Sequence, residues 1–280
     1  MGRSEKSIPE YCGVLHLRPL PGSFRAARIA RKAGVDARRQ LDLTIRQAVM
    51  EARILEKEGF DTLMIENFGD TPFRKDQVAA ETIASMAIIA REVREAVKLP
   101  IGINVLRNDA VSALSIAAVT GADFIRVNVL SGVAATDQGW IEGRAADVLA
   151  ARERLDPELR ILGDVWVKHA RQFSSDSLSH SIEETAYRAG ADAVILTGPT
   201  TGRLASRAFL EEAVSTCSAH DIPLYLGSGV SSETVSELPQ AGISGIIVGS
   251  DLRKDGVAGA AVDPRRVTRW MKSAARHFGA

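Results

Sequence analysis

Eight short apolar runs, each separated from the next by a stretch of helical periodicity, set the strongest limit on the fold of this chain. The runs are Cys12–Leu17, Asp61–Asn67, Ile101–Leu106, Phe124–Val129, Arg160–Val167, Ala193–Thr197, Leu224–Leu226 and Gly245–Val248. Their starts lie roughly 20 to 50 residues apart, the spacing of βα units in a parallel sheet. A run that is apolar at successive positions is a strand covered on both faces, which parallel sheets require. Between the runs, Leu41, Ile45, Val49, Ala52 and Leu55 recur at helical spacing up to a stop at Gly59. Ser181 and Glu184 predict a capping box that opens a helix closing at Gly190. Asp263-Pro264 reads as the N-cap and first turn of a last helix buried through Val267, Trp270, Met271 and Ala274. Gly121-Ala122-Asp123, Gly190-Ala191-Asp192 and Ala241-Gly242-Ile243 each mark a helix stop leading straight into β structure. About eight strands alternating with helices predict a (β/α)8 TIM barrel. A doubly wound open sheet would carry a Gly-rich fingerprint after its first strand, and none is found. Residues 1–280 therefore read as one barrel domain, with 1–10 as a polar N-terminal extension.

Bulk properties narrow the function classes. Lys plus Arg and Asp plus Glu both number 35, so no global charge favours nucleic acid. The first ten residues lack the apolar core of a signal peptide, and no later segment is long enough to span a bilayer. The two cysteines, Cys12 and Cys217, belong to no CxxC pair and suit buried thiols in a reducing cytoplasm. Barrels of this size commonly form closed assemblies, so a homo-oligomer is expected.

Barrel enzymes carry their sites at the C-terminal ends of the strands. Tyr225-Leu226-Gly227-Ser228-Gly229-Val230 and Ile246-Ile247-Val248-Gly249-Ser250 are apolar runs that end abruptly in Gly and Ser. Such tips let backbone N–H groups approach an anion, and the last two strands of a barrel are where a phosphate is usually held. The earlier strands end in polar groups: His16; Glu66-Asn67-Phe68-Gly69-Asp70; Asn104 before Arg107-Asn108-Asp109; Arg126 and Asn128 on one face; Asp164, Trp166 and Lys168 on one face with His169 next; and Thr197-Gly198. A charged side chain within a strand covered on both faces costs several kcal/mol unless paired. Glu66, Arg126 and Asp164 are therefore either a buried ion pair, Arg126 with Glu66 or Asp164, or the polar floor of a substrate site. Glu66, Asp164, Lys168 and His16 are the candidate catalytic groups. Glu66 and Asp164 suit acid–base work, Lys168 charge stabilisation or, less readily, Schiff-base chemistry, and His16 proton transfer near neutrality. Asn104, Arg126, Asn128, Gly198, Gly227, Ser228, Gly229, Gly249 and Ser250 are the candidate substrate- and phosphate-binding residues. Glu66, Asp109, Asp137 and Asp164 offer hard oxygens suited to Mg²⁺, but no HxH, HExxH or DxD spacing organises them, so no metal ligand is assigned. The stretch Ser131–Gly139 reads as a mobile loop over the barrel mouth.

Taken together these strand ends resemble the BtpA family, also called BtpA/SgcQ. The matching stretches are Gly13–Leu17 with Pro19–Gly22, Glu66–Asp70 with Pro72-Phe73, Gly102–Asp109, Ala122–Val129, Thr136–Gly139, Ile141–Arg144, Asp164–His169, Gly227–Val230 and Val248–Ser250. Trp166 and Pro199 depart from the family pattern. The resemblance implies a TIM barrel of the ribulose-phosphate-binding kind and carries no established reaction with it. The family takes its name from a cyanobacterial member needed for photosystem I accumulation. Three functions are compatible with these residues: an isomerase, epimerase or lyase acting on a small sugar phosphate; a non-catalytic assembly or regulatory factor; and a nucleotide- or nucleobase-processing enzyme in which Trp166 or Phe68 stacks on a base.

Overall fold

The computed structural model describes residues 9–166, 171–172, 177–198 and 204–279. Its strands are β1 (Glu10–His16), β2 (Thr62–Glu66), β3 (Ile101–Asn104), β4 (Phe124–Val127), β5 (Val133–Thr136), β6 (Gly139–Glu142), β7 (Arg160–Val165), β8 (Arg171–Gln172), β9 (Ala193–Thr197), β10 (Leu224–Gly227) and β11 (Gly245–Val248). Eight of them close into a parallel barrel in the order β1-β11-β10-β9-β7-β4-β3-β2. These are the eight runs expected from the sequence. The helices are α1 (Phe24–Ala33), α2 (Ala37–Lys57), α3 (Ala80–Ala96), α4 (Ala110–Thr120), α5 (Ala145–Leu155), α6 (Leu178–Glu183), α7 (Arg207–Ala219) and α8 (Pro264–Phe278).

Alternation divides each barrel strand into an outward set, packed under the helices, and an inward set. The inward set fills the lumen with Cys12, Val14, Met64, Phe124, Leu162, Ala193, Ile195, Tyr225 and Ile247. Size is matched across neighbouring strands. A Cβ at Gly102 would meet the Phe124 ring at 2.1 Å, and one at Gly245 the Tyr225 ring at 2.2 Å. With the lower lumen packed solid, open polar positions remain only at the C-terminal mouth.

The helix stops before the strands do more than end helices. Asp61, Asp123 and Asp192 each donate a backbone N–H to the carbonyl of Tyr11, Ile101 or Ile161 on the preceding strand. Each carboxylate then accepts that same residue's N–H, at 2.7, 2.8 and 2.7 Å respectively. Ser244 does likewise with Leu224 through its hydroxyl. These pairs join neighbouring strands below the ladder and fix their register. The helices bury the faces expected of them: Ala52 and Leu55 on α2, and Val267, Trp270 and Ala274 on α8, which Asp263 caps.

Two expectations are corrected. The helix placed at Ser181 begins at Leu178, capped by the Ser177 hydroxyl, which accepts from the His180 N–H. Ser181 lies inside it and accepts instead from the Trp166 indole N–H at 3.2 Å. The segment read as a mobile loop is an ordered hairpin of β5 and β6, and β8 extends it to three antiparallel strands. Ala134 and Ile141 bury against Val129 to give this small sheet its own core.

Candidate active site

The inward positions at the ends of β2, β3, β4 and β7 hold Glu66, Asn104, Arg126 and Asp164, and Asn128 follows β4 on the same face. All five are buried. Arg126 forks onto Asp164, with Nε donating to Oδ1 at 2.8 Å and Nη2 to Oδ2 at 3.0 Å. Asn128 Nδ2 donates to the same Oδ2 at 2.9 Å. The ion pair left open by the sequence is therefore Arg126 with Asp164, and both carboxylate oxygens are engaged. Burial would lower the Arg126 pKa, but the charge and hydrogen bonds of Asp164, with Glu66 behind them, hold it above its usual value.

Glu66 is held differently. Asn104 Nδ2 donates to its Oε2 at 2.7 Å, while Oε1 lies 3.9 Å from His16 Nε2. His16 Nδ1 accepts the Gly259 N–H at 3.2 Å. That bond places the proton of a neutral ring on Nε2, the nitrogen facing Glu66. Phe68 stacks on the imidazole with centroids 4.3 Å apart, and a Cβ at Gly249 would come within 3.1 Å of it. Glu66 and His16 thus form an acid–base couple on adjacent strands, with the imidazole locked from both sides.

Across the lumen, β10 and β11 run side by side with Gly227 opposite Ile247. Their tips, Ser228-Gly229 and Gly249-Ser250, emerge together and stay partly exposed. Ser228 and Gly229 are both left-handed, with φ of 63° and 81°. The Ser232 N–H donates to Asp251 Oδ2 at 2.9 Å and ties the two loops together. Gly227 sits above the pair just described, since a Cβ there would reach 3.9 Å from Arg126 Nη2. Gly198 directly follows β9 on the same rim. The mouth therefore has a charged half, from β2 to β7, facing a half whose strand ends carry small residues.

Two asparagines that sequence reasoning quoted without assigning a role hold the charged rim together. Asn67 accepts the Leu106 N–H at 2.7 Å and donates to the Leu106 carbonyl at 3.0 Å. Asn108 does the same with Val129, at 2.8 and 2.9 Å. Each side chain acts as an extra peptide group bridging consecutive loops, and each directly follows a site-bearing strand or loop position. Asn67 also donates to Asp70, whose other oxygen accepts the Leu20 N–H at 2.7 Å. Burial outweighs these bonds and raises the Asp70 pKa to about 6. Between the clamps sits Arg107, buried within range of Asp164, Asp137 and Glu66. Its burial outweighs those three charges and lowers its pKa. The influence of Asp137 on Arg107 brings the hairpin tip over the mouth.

The remaining candidates do not join this cluster. Asp109 caps α4 through Ser112 and accepts the Val78 N–H, so it does not converge with Glu66 and Asp164. Among the described residues, no three His, Cys, Asp or Glu side chains are grouped to hold a metal ion. Phe68 is committed to His16, and Trp166 makes an edge contact with Phe209 at 5.2 Å, so neither aromatic named for base stacking is free to do it. Lys168, His169 and Pro199 lie outside the described residues.

Residues 8–276 match the model of the BtpA family. The chain belongs to the BtpA family. Among its relatives, the photosystem I biogenesis protein BtpA of Synechocystis is 42% identical over 94% of this chain and 87% of that protein. An uncharacterised protein of Methanocaldococcus jannaschii is also 42% identical, over 92% of each chain. Among solved structures, KGPDC from Streptococcus mutans superposes with a TM-score of 0.58 at 11% identity, over 98% of this chain and all of the other. It has also been solved in complex with a phosphosugar ligand. Phosphoribosyl anthranilate isomerase from Thermus thermophilus gives a TM-score of 0.58 at 12% identity, over 95% of this chain and 98% of that one. This member of the BtpA family thus has the TIM-barrel fold of ribulose-phosphate-binding enzymes. No helix among its described residues is long and apolar enough to cross a membrane.

Proposed function

We propose that the chain is an enzyme that binds a small phosphorylated metabolite, a sugar phosphate, at the C-terminal mouth of the barrel. The reading assigns it isomerase, epimerase or lyase chemistry. The observation that carries this is the division of the mouth: the paired Gly-Ser tips of β10 and β11 face an acid–base couple on β1 and β2 across a lumen that is otherwise filled. Backbone N–H groups of the tips hold the phosphate. Glu66 moves a proton at a carbon next to a carbonyl, with His16 Nε2–H as its partner. Arg126, fixed by Asp164, and Arg107 stabilise the negative charge that develops on an enediolate. Asp164 serves through that pairing rather than as a free base. The phosphate ligands implied by the names and complexes of the similar barrels support the same reading.

The competing role, an assembly factor, is favoured by the name of the Synechocystis relative. The equally identical relative from Methanocaldococcus jannaschii carries no such name and gives that role no support. Two free, buried cysteines suit a cytoplasmic setting. Thermal unfolding against a panel of sugar phosphates, nucleotides and inorganic phosphate, with and without Mg²⁺, tests the proposal. A ligand that binds only the native state raises the melting temperature by mass action. The proposal expects a specific rise with one class of sugar phosphate, and turnover that Glu66→Gln abolishes without loss of fold. A flat response across the panel would overturn it.

A further inference from the structure

Asn104 and Asn128 each present a buried carbonyl oxygen that no donor reaches. The amide nitrogen of Asn104 faces Glu66 Oε2 at 2.7 Å, and that of Asn128 faces Asp164 Oδ2 at 2.9 Å. A carboxylate accepts and cannot donate, so neither amide can flip without setting oxygen against oxygen. Their Oδ1 atoms are thereby fixed toward the other side of each amide. Both are buried without a hydrogen-bond partner among the described residues, although Asn104 is 1% and Asn128 4% exposed. Buried acceptors are almost always satisfied, and two exceptions on neighbouring strands of one polar floor mark a place where donors arrive from outside.

Resting on the phosphate reading above, we infer that Asn104 and Asn128 select the ligand's far end, each accepting a hydrogen bond from a hydroxyl of a polyhydroxylated carbon chain. Hydroxyl groups fit because they donate to the amide oxygens and can accept from Arg126 or Arg107 nearby. A simple alkyl chain leaves both oxygens unpaired, and a carboxylate or second phosphate would face Glu66 and Asp164 with no proton to give. The asparagines therefore set specificity, while the tips of β10 and β11 supply phosphate affinity.

Calorimetric titration of the intact protein with D-ribose 5-phosphate, n-propyl phosphate and free D-ribose separates these contributions. A site built to pair a hydroxyl discriminates strongly against an analogue that lacks it. The sugar phosphate is expected to bind at least about tenfold more tightly than the alkyl phosphate. Asn104→Ala and Asn128→Ala should each remove most of that preference while leaving the alkyl phosphate affinity within about twofold. Equal binding of the two phosphates by the native protein, or a preference that survives both substitutions, would overturn the inference and leave the phosphate reading standing. Binding of free ribose without any contribution from phosphate would sustain the inference and overturn the phosphate reading. Absence of binding by all three overturns both. The native comparison decides the matter even if a variant fails to fold.

Discussion

Arg126 and Asp164 show how one pair can be both structural and functional. Each charge is buried, and each depends on the other for its place. Removing one partner from such a pair typically costs about 3–5 kcal/mol, because an unpaired charge stays buried. Asp164→Asn is therefore predicted to lower stability in urea unfolding by that order, whereas Glu66→Gln, which keeps its shape and its neighbour Asn104, should lower it far less. Equal losses would mean that Glu66 too is held mainly as an ion-pair partner. Asp70 makes a separate prediction. Its folded pKa is raised to about 6 from 3.8, so between those values the folded state keeps a proton that the unfolded chain has released. Stability from this group is thus greatest at acid pH, falls as pH rises from about 4, and levels off above about 6, a loss on the order of 2–3 kcal/mol. Asp70→Asn should flatten that part of the stability–pH curve, and an unchanged slope would show that the carboxyl titrates normally. Sequence reasoning found Arg126 and Asp164 because charge inside an apolar run is costly. Their pairing needed register, since Glu66 was an equal candidate.

At the scale of elements, short side chains hold the strand ends in position. Asp61, Asp123, Asp192 and Ser244 lock neighbouring strands below the barrel, while Asn67 and Asn108 lock neighbouring loops above it. Asn108→Ala leaves the buried N–H and C=O of Val129 without their partner. It is predicted to cost about 2–3 kcal/mol in denaturant unfolding and to weaken ligand binding through the loosened Arg107 loop. A stable variant with native affinity would show that the clamp is dispensable. The Gly-Ala-Asp signals were legible as helix stops, but the acceptors they satisfy are distant: Asp123 reaches Ile101 and Asp61 reaches Tyr11. The β5–β6 hairpin was hidden for another reason. Its strands are four residues each and bury little beyond Ala134 and Ile141, too few to set up an alternation that stands out.

For the molecule as a whole, the barrel was legible because it repeats. Eight apolar runs and their helices have few other ways to bury both faces, and inward alternation then brings Glu66, Asn104, Arg126 and Asp164 to one mouth. Long-range closure was not legible. The buried pair of Arg253 with Glu51, in which Arg253 also donates to the Val14 carbonyl, seals the seam between β1 and the last loop across 202 residues. That same loop delivers Gly259 to His16 and so sets the tautomer of a catalytic candidate. Fold and site are thus coupled where the chain's two ends meet, beside the strand tips assigned to phosphate. The most direct test of this account is a crystal structure of the protein with the sugar phosphate that stabilises it best. The account predicts phosphate oxygens within hydrogen-bond distance of the 228–230 and 249–251 backbone, with sugar hydroxyls on Asn104 and Asn128. Phosphate bound away from those tips, or a mouth empty at saturating ligand, would contradict it.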